Sequence, residues 1–304
     1  MASEISNDCK ASVATTSGVH RYRRSDQPEI ADDFLSVEEP LEIRVNGQSV
    51  SVTMRTPGDD EALCAGFLLT EGMIHSRDDI AAIGPWPTLP QGIGNVMNVT
   101  LSPNVTIDMA KLTRHVFASS SCGLCGKASI ANVQMQFPAL PADNSQAGIA
   151  LSVVRSLPAA LLAAQESFAR TGGLHAAGIF DASGQLIVAR EDVGRHNAVD
   201  KVIGHGLLNG MPPFAQHVLL VSGRASFEIV QKALAARIPI VAAVSAPSSL
   251  AVDFAKANGQ TLIGFLRGES LNVYCHPERV RNTSSTGSAD VPVGLLPGTV
   301  RMFR

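Results

Sequence analysis

Val218-Leu219-Leu220-Val221, Ile238-Pro239-Ile240-Val241-Ala242-Ala243-Val244 and Thr261-Leu262-Ile263-Gly264-Phe265-Leu266 are three apolar runs rich in β-branched residues, separated by helical patterning at Ala225 to Ala236 and Ser248 to Ala257. Strand, helix, strand, helix, strand at this spacing specifies an α/β fold with a parallel sheet and right-handed crossovers. The residues just past the strands are Ser222-Gly223-Arg224, Ser245-Ala246-Pro247 and Arg267-Gly268-Glu269-Ser270. Strand polarity puts all three loops on one carboxyl edge, where open α/β sheets bind ligands. Two of the loops open helices, whose unsatisfied N–H groups suit phosphate, and Arg224 and Arg267 can fork onto phosphate oxygens. A short turn with a solvated arginine would explain any one of them. Three on one edge point to an anionic, nucleotide-like ligand.

Upstream, Leu41-Glu42-Ile43-Arg44-Val45 and Val50-Ser51-Val52-Thr53-Met54 alternate apolar and polar about Asn46-Gly47, which predicts a β-hairpin. Asp59 to Glu71 reads as a helix stopped by Gly72, with Cys64 a small buried residue on it, and Val96 to Leu101 as a strand. A helix is expected near Ser156 with Pro158 in its first turn and Gly172-Gly173 at its end. A hairpin should pair Leu174 to Phe180 with Gln185 to Ala189, followed by a helix from about Gly194 to Leu208. The chain therefore divides into a polar leader at 1–30 expected to be mobile, a small β-rich subdomain at 31–115, and a small-residue segment at 116–150, also expected to be mobile. An α/β domain at 151–280 and a tail at 281–304 complete it.

A chain of 304 residues that is 45% apolar buries a substantial core. Lys and Arg total 24 against 27 Asp and Glu, a net charge of -3, which gives no global pull toward nucleic acid or acidic membranes. Only 14 residues are aromatic (11 Phe, 2 Tyr, 1 Trp), too few for base-stacking platforms or a membrane-interface belt. No run approaches a membrane-spanning helix and no signal-peptide pattern opens the chain, so a cytoplasmic location is expected. Five irregularly spaced cysteines do not suit a secreted disulfide framework.

The sharpest local signal is Cys122-Gly123-Leu124-Cys125, which follows three serines and precedes Gly126-Lys127. A structural zinc site needs four ligands, and no second Cys pair is present, although His115 could add a third. A thioredoxin-type pair would open a helix after a strand, and this one sits between two folded regions. A sulfur carrier is the third reading: one thiolate takes sulfane sulfur from a donor persulfide and surrenders it by the same exchange chemistry. Lys127 nearby favours the thiolate. A second polar cluster, Glu191-Asp192-Val193-Gly194-Arg195-His196-Asn197-Ala198-Val199-Asp200-Lys201, opens a predicted helix. Asp192, His196 and Asp200 would share one helical face if that helix reaches back so far. A solvated charged face explains the cluster equally well. His175 in an apolar strand, and His276 beside Cys275, read as structural.

Taken together with Gly173-Leu174-His175-Ala176-Ala177-Gly178, Ser222-Gly223-Arg224 and Leu271-Asn272-Val273-Tyr274-Cys275-His276-Pro277-Glu278-Arg279, these motifs closely resemble the formate dehydrogenase accessory sulfurtransferase family (FdhD/NarQ) from about residue 30 to 280. The resemblance implies a cytoplasmic homodimer that accepts sulfur from a cysteine desulfurase. It would deliver that sulfur to the bis-molybdopterin guanine dinucleotide form of the molybdenum cofactor before the cofactor enters formate dehydrogenase. It places the persulfide on Cys122 with Cys125 as second thiol. The cofactor-binding segment falls on Phe265-Leu266-Arg267-Gly268-Glu269-Ser270, with Ser222 and Arg224 added by topology and a guanine nucleotide such as GDP as a possible mimic. It also implies a three-layer cytidine-deaminase-like domain with a smaller N-terminal β-rich subdomain. Deaminase chemistry is not expected, because His175-Ala176-Ala177 lacks the glutamate of a His-x-Glu motif and the cysteine pair precedes the histidine. No metal ligand set is assigned. Glu269 stands where relatives often carry a base, and its carboxylate would repel phosphate unless Arg267 or a metal compensates. The rival readings are a chaperone that holds the cofactor and docks apo-formate dehydrogenase without transferring sulfur, and a dithiol oxidoreductase.

Overall fold

The computed structural model describes residues 13–24, 26–87, 95–105, 137–141, 148–211 and 214–282. Cys122 and Cys125, the leader up to residue 12 and the tail beyond 282 lie outside the described residues.

The parallel trio forms as expected. Strands β10 (Val218–Val221), β11 (Ile240–Ala243) and β12 (Thr261–Arg267) pair in parallel, with α5 (Phe227–Ala235) and α6 (Ser249–Ala257) between them. The sheet is larger and mixed. Strand β8 (His175–Phe180) runs antiparallel to β10, β9 (Leu186–Asp192) antiparallel to β8, and β13 (Ser270–Cys275) antiparallel to β12, in the order β13-β12-β11-β10-β8-β9. The three central strands are buried on both faces because helices cover both, which is why they read as unbroken apolar runs. One face packs Ile179, Leu219, Val221 and Val241 against α4 (Arg195–Leu208), α5 and α6. The other packs Phe180, Val218, Leu220 and Ile263 against Val154, Leu157 and Leu161 of α2 (Leu151–Ala163). The α/β/α layering is thus present.

The N-terminal part is a second sheet, β4-β3-β6-β5, formed by β3 (Glu39–Val45), β4 (Gln48–Arg55), β5 (Ile80–Pro85) and β6 (Val96–Leu101). The β3–β4 hairpin turns at Asn46 (φ 49) and Gly47 (φ 83), the positive-φ pair that Asn-Gly tolerates. Its inner face buries Leu41, Ile43, Val45 and Val99 on Leu63, Cys64 and Leu68 of α1 (Asp60–Thr70). The other side of α1 lies on α4 in backbone contact. A Cβ added to Gly66 would come within 1.9 Å of the Asp200 carbonyl oxygen, and one added to Gly204 within 1.8 Å of that of Ala62. The layers therefore stack as sheet, α1, the α4–α6 layer, sheet, α2.

Three expectations are corrected. Residues 14–21 do not belong to a structureless leader: β1 (Ala14–Arg21) pairs antiparallel along its length with β2 (Glu29–Ser36), a ladder satisfied by backbone groups that leaves no apolar period to read. Pro158 lies inside α2, not in its first turn, because the helix begins at Leu151. Burial of Val154, Leu157 and Leu161 outweighs the one backbone bond that proline removes. Gly172 does stop a helix, but it is the separate short α3 (Glu166–Thr171), which it ends at φ 65.

Candidate functional site

The three loops named from the sequence do lie together, and backbone bonds zip them side by side. Val244 N–H donates to Val221 O (3.1 Å), Ser245 N–H to Gly223 O (3.3 Å), Ser248 N–H to Ala225 O (3.1 Å) and Phe265 N–H to Ser245 O (3.1 Å). The last bond holds Phe265 at φ 52 in an irregular stretch of the β12–β13 pairing and leaves its ring 40% exposed at the edge. Gly264 is required beside it, since a Cβ there would meet Pro247 Cδ at 2.7 Å. Leu266 is fully buried and serves the core. Arg267 folds back so that its Nε donates to Val244 O at 2.8 Å, while Arg224 is exposed. Arg267, Gly268, Glu269 and Ser270 make the tight β12–β13 turn, with Arg267 opposite Ser270 and Gly268 at φ 52. The cation that compensates Glu269 is Arg155 of α2, not Arg267. Its Nε reaches the Glu269 carboxylate at 3.4 Å and donates to the Glu269 backbone oxygen at 3.1 Å.

The polar cluster that opens α4 splits into two jobs. Asp192 ends β9 and so shares no helical face with His196, because α4 starts only at Arg195. Fully buried, it accepts from Gly194 N–H (2.8 Å), Asn197 Nδ2 (3.0 Å) and Thr56 N–H (3.1 Å), and pairs with Lys201 Nζ at 2.8 Å. Asn197 Nδ2 also donates to Met54 O, and Lys201 to Thr56 O. Deeper in, Lys232 Nζ bonds both Asp200 oxygens (3.0 and 2.9 Å) and Thr70 Oγ1 (2.9 Å). Burial lowers the Lys232 ammonium's affinity for its proton, but Asp200, Glu71 and Glu228 more than offset this and hold its pKa above the ordinary value. Asp192, Asn197, Asp200 and Lys201 thus join the two sheets.

Arg195 and His196 remain at the edge. Arg195 Nε is buried without a hydrogen-bond partner among the described residues. His196 Nε2 meets Ser226 Oγ and Glu228 Oε2, each at 3.3 Å. Burial, then the charges of Lys232 and Arg195, push its pKa down to about 3, so the ring is neutral.

His175 was read as a core histidine, and the structure corrects this. It is half-buried at the same carboxyl edge, because β8 runs opposite to β10 and starts where β10 ends. A Cβ on Gly223 would lie 3.5 Å from His175 Nδ1 and 3.9 Å from Arg195 Cδ, so the glycine sits directly beside both side chains. Burial, and after it Arg195, lower the His175 pKa. His175 and Ser222 border a cavity of about 520 Å³ whose other walls include Leu161, Leu162, Gln165 and Phe168. This volume is in the range of small-molecule sites. The α2 and α3 residues were not anticipated from sequence; Gln165 and Phe168 lie in polar helical sequence that signals nothing until the fold brings it to the edge. Cys64 is fully buried with its thiol pKa pushed up, and Cys275 Sγ donates to Gln260 O at 3.2 Å. His276 bonds Glu278 and the Lys256 carbonyl, as a structural residue would.

The protein is of the mixed α/β class, a three-layer domain with a cavity and basic residues at the carboxyl edge of its sheet. The chain belongs to the FdhD/NarQ family, whose profile matches residues 36–281. It is 48% identical over 266 residues to "Sulfur carrier protein FdhD" of Mycobacterium tuberculosis (strain ATCC 25618 / H37Rv), covering 86% of this chain and 96% of that one. It is 50% identical over 258 residues to the protein of the same name from Streptomyces coelicolor, covering 84% and 92%. The crystal structure of a "putative formate dehydrogenase accessory protein" from Desulfotalea psychrophila superposes with a TM-score of 0.69 at 27% identity, covering 89% of this chain and all of that one. No helix among the described residues is long and apolar enough to cross a membrane.

Proposed function

We propose that this protein is a sulfur carrier in formate dehydrogenase maturation, moving sulfane sulfur from a cysteine desulfurase to the bis-molybdopterin guanine dinucleotide cofactor through a persulfide on Cys122. The observation that carries the reading is family membership over residues 36–281 with sulfur-carrier relatives at about half identity along most of the chain. In the loading step the Cys122 thiolate attacks the outer sulfur of the desulfurase persulfide, the desulfurase cysteine leaves as thiolate, and the new Cys122 persulfide holds the transferred atom. In delivery an electron pair of the acceptor attacks the outer sulfur, the S–S bond breaks and Cys122 leaves as thiolate, so the acceptor supplies the two electrons that the transferred sulfur gains. Cys125 is the second thiol of the pair.

The shelf supports the acceptor side of this reading. The Arg195 Nε without a partner among the described residues, the exposed Arg224 and the Arg267 guanidinium suit the phosphates of a nucleotide-bearing substrate. These residues would hold and orient the substrate. His175 and His196, neutral by burial, present no extra charge to it and can exchange hydrogen bonds with it.

Mass spectrometry tests the carrier step. Incubation with a cysteine desulfurase and cysteine should add one reducible sulfur, about 32 Da, to the Cys122 peptide of wild type and of Cys125→Ala, and none to Cys122→Ala. If no cysteine gains sulfur while the desulfurase is active, and Cys122→Ala still supports formate dehydrogenase, the protein holds the cofactor without carrying sulfur. A reversible Cys122–Cys125 disulfide with cofactor-free reductase turnover would make it an oxidoreductase.

A further inference from the structure

Another cavity, of about 300 Å³, opens at the amino edge of the six-stranded sheet, the end opposite the shelf, where Phe214 and Arg237 precede β10 and β11. Leu69 of α1, Ile203 and Leu207 of α4, Ala235 of α5, Met211 and Phe214 form its apolar walls. Its polar residues stand at the rim: His75, Ser76 and Arg77 from the loop before β5, and Arg237 from the turn before β11. None of the buried polar atoms left without a partner among the described residues lines it. A metabolite pocket uses such groups to orient its ligand, so an apolar side chain fits this one better.

Arg77 and Arg237 give the rim its charge. Arg77 Nη1 donates to Ile80 O at 2.7 Å, and Arg237 donates from Nη1 to Pro138 O and from Nη2 to Ala139 O (3.3 Å). Carbonyl partners fix both guanidinium groups without neutralising them, and neither is paired with a carboxylate among the described residues. Asp79 is turned to the loop's own backbone, accepting from His75 and Ser76 N–H at 2.6 and 3.1 Å.

The same residues fasten the stretch that holds the cysteine pair. The described chain stops at Val105 and resumes at Phe137, and Cys122 and Cys125 fall between. On the upstream side Ser102 N–H donates to Asp79 O (2.9 Å) and Ser102 Oγ to Asp78 O, which ties the chain to the loop that carries Arg77. On the downstream side Arg237 holds Pro138 and Ala139, and Phe137 packs on the same core cluster as Leu69 and Met211. Both attachments of the Cys122 stretch therefore stand beside this cavity.

We propose that the cavity docks the protein that brings the donor persulfide. One apolar side chain of that partner sits between α1, α4 and α5, and carboxylates beside it face Arg77 and Arg237. An apolar anchor seated in a pocket, with polar contacts around it, carries most of the energy of many interfaces. The acceptor is met at the opposite edge, so a protein seated here competes for none of the shelf residues. Docking the donor where the Cys122 stretch is attached raises the effective concentration of one sulfur centre about the other. The inference rests on the carrier reading above and adds to it the surface that receives the donor.

The test is the rate of sulfur loading on Cys122 in the full-length protein, read by mass spectrometry with two donors: a cysteine desulfurase with cysteine, and inorganic polysulfide. Polysulfide needs no docking, since the Cys122 thiolate takes a terminal sulfur and the shortened polysulfide leaves. Arg77→Glu and Met211→Glu should each slow desulfurase loading about 10-fold, the effect of losing a hot-spot contact, with polysulfide loading and thermal midpoint unchanged. Arg77 is exposed, so Arg77→Glu keeps the test decisive if Met211→Glu does not fold. In wild type, desulfurase loading should also slow as salt rises. Desulfurase loading unchanged in Arg77→Glu and Met211→Glu would overturn the proposal. Equal slowing with both donors would overturn it too, by placing the effect on Cys122 itself, and so would a change in the variants' own sedimentation, which would make the cavity a contact between copies. Wild type that takes sulfur from polysulfide but not from an active desulfurase refutes the donor of the carrier reading, and the docking surface with it.

Discussion

Gly204→Ala tests whether the contact between α1 and α4 is as close as it looks, because two effects of opposite sign compete. Helix propensity alone favours the change by about 1 kcal/mol, since alanine is the better helix former. The geometry opposes it: the added carbon would lie 1.8 Å from Ala62 O and 2.5 Å from Gly66 N, both backbone atoms that cannot rotate away. An ordinary contact lies near 3.5 Å, so the helices must part by roughly 1.5 Å, a gap that forfeits a large share of the dispersion contacts across the interface. Overpacking of this kind costs up to about 3 kcal/mol, which leaves a net loss of about 2 kcal/mol. In a protein of this size that lowers Tm by roughly 4–8 °C. Differential scanning calorimetry or urea unfolding reads it. Gly84→Ala is the control, because nothing lies within 4 Å of its added carbon and its φ is not positive. A Gly204→Ala protein as stable as wild type, or more so, would show that the helices adjust freely and that close approach is not what holds the two sheets together.

Three further outcomes follow from the site. Asp192→Ala removes the partner of the buried Lys201 ammonium at 2.8 Å and should cost about 3–5 kcal/mol by thermal unfolding, with Asp192→Asn costing less because it keeps part of the hydrogen bonding. His196 has a folded-state pKa near 3 against 6.5 unfolded, so the unfolded chain binds its proton first as pH falls. Its contribution to stability is complete above about pH 6.5 and is lost as pH drops toward 3, so His196→Gln should flatten the fall in urea midpoint between pH 7 and 5; an unchanged slope would contradict this. Glu269→Arg removes an ion pair whose carboxylate side chain is 87% exposed, so Tm should barely move. Pyrophosphate binding should tighten, and the gain should shrink as salt rises.

The β10–α5–β11–α6–β12 half was legible in the sequence because each strand is covered on both faces, so burial writes itself as an unbroken apolar run. The Asn46-Gly47 hairpin and the Gly172 stop were legible for a related reason, since positive φ leaves its mark on local sequence. What stayed hidden depends on partners distant in the chain. Pro158 looked like a helix start because the sequence does not show that packing of Val154, Leu157 and Leu161 carries α2 through it. Asp192 and His196 looked like neighbours on one face because four-residue spacing cannot reveal that a strand ends between them. The site divided in the same way. Ser222, Arg224 and Phe265 to Ser270 followed from strand polarity, whereas His175 reached the edge only through the antiparallel course of β8, and Gln165 and Phe168 line the cavity only because the fold brings the α2–α3 region there.

The lateral bonds that zip the edge loops together also settle how a ligand can be met there. A phosphate loop of the glycine-rich kind binds through its own backbone N–H groups, and such recognition is fixed by the course of the chain rather than by side chains. Here the amides of Val244, Ser245, Ser248 and Phe265 are already committed to neighbouring carbonyls. A ligand on this shelf meets side chains for the most part. Its selectivity can therefore change one side chain at a time while the backbone beneath stays the same, and Glu269, paired with Arg155 in the β12–β13 turn, is such a side chain.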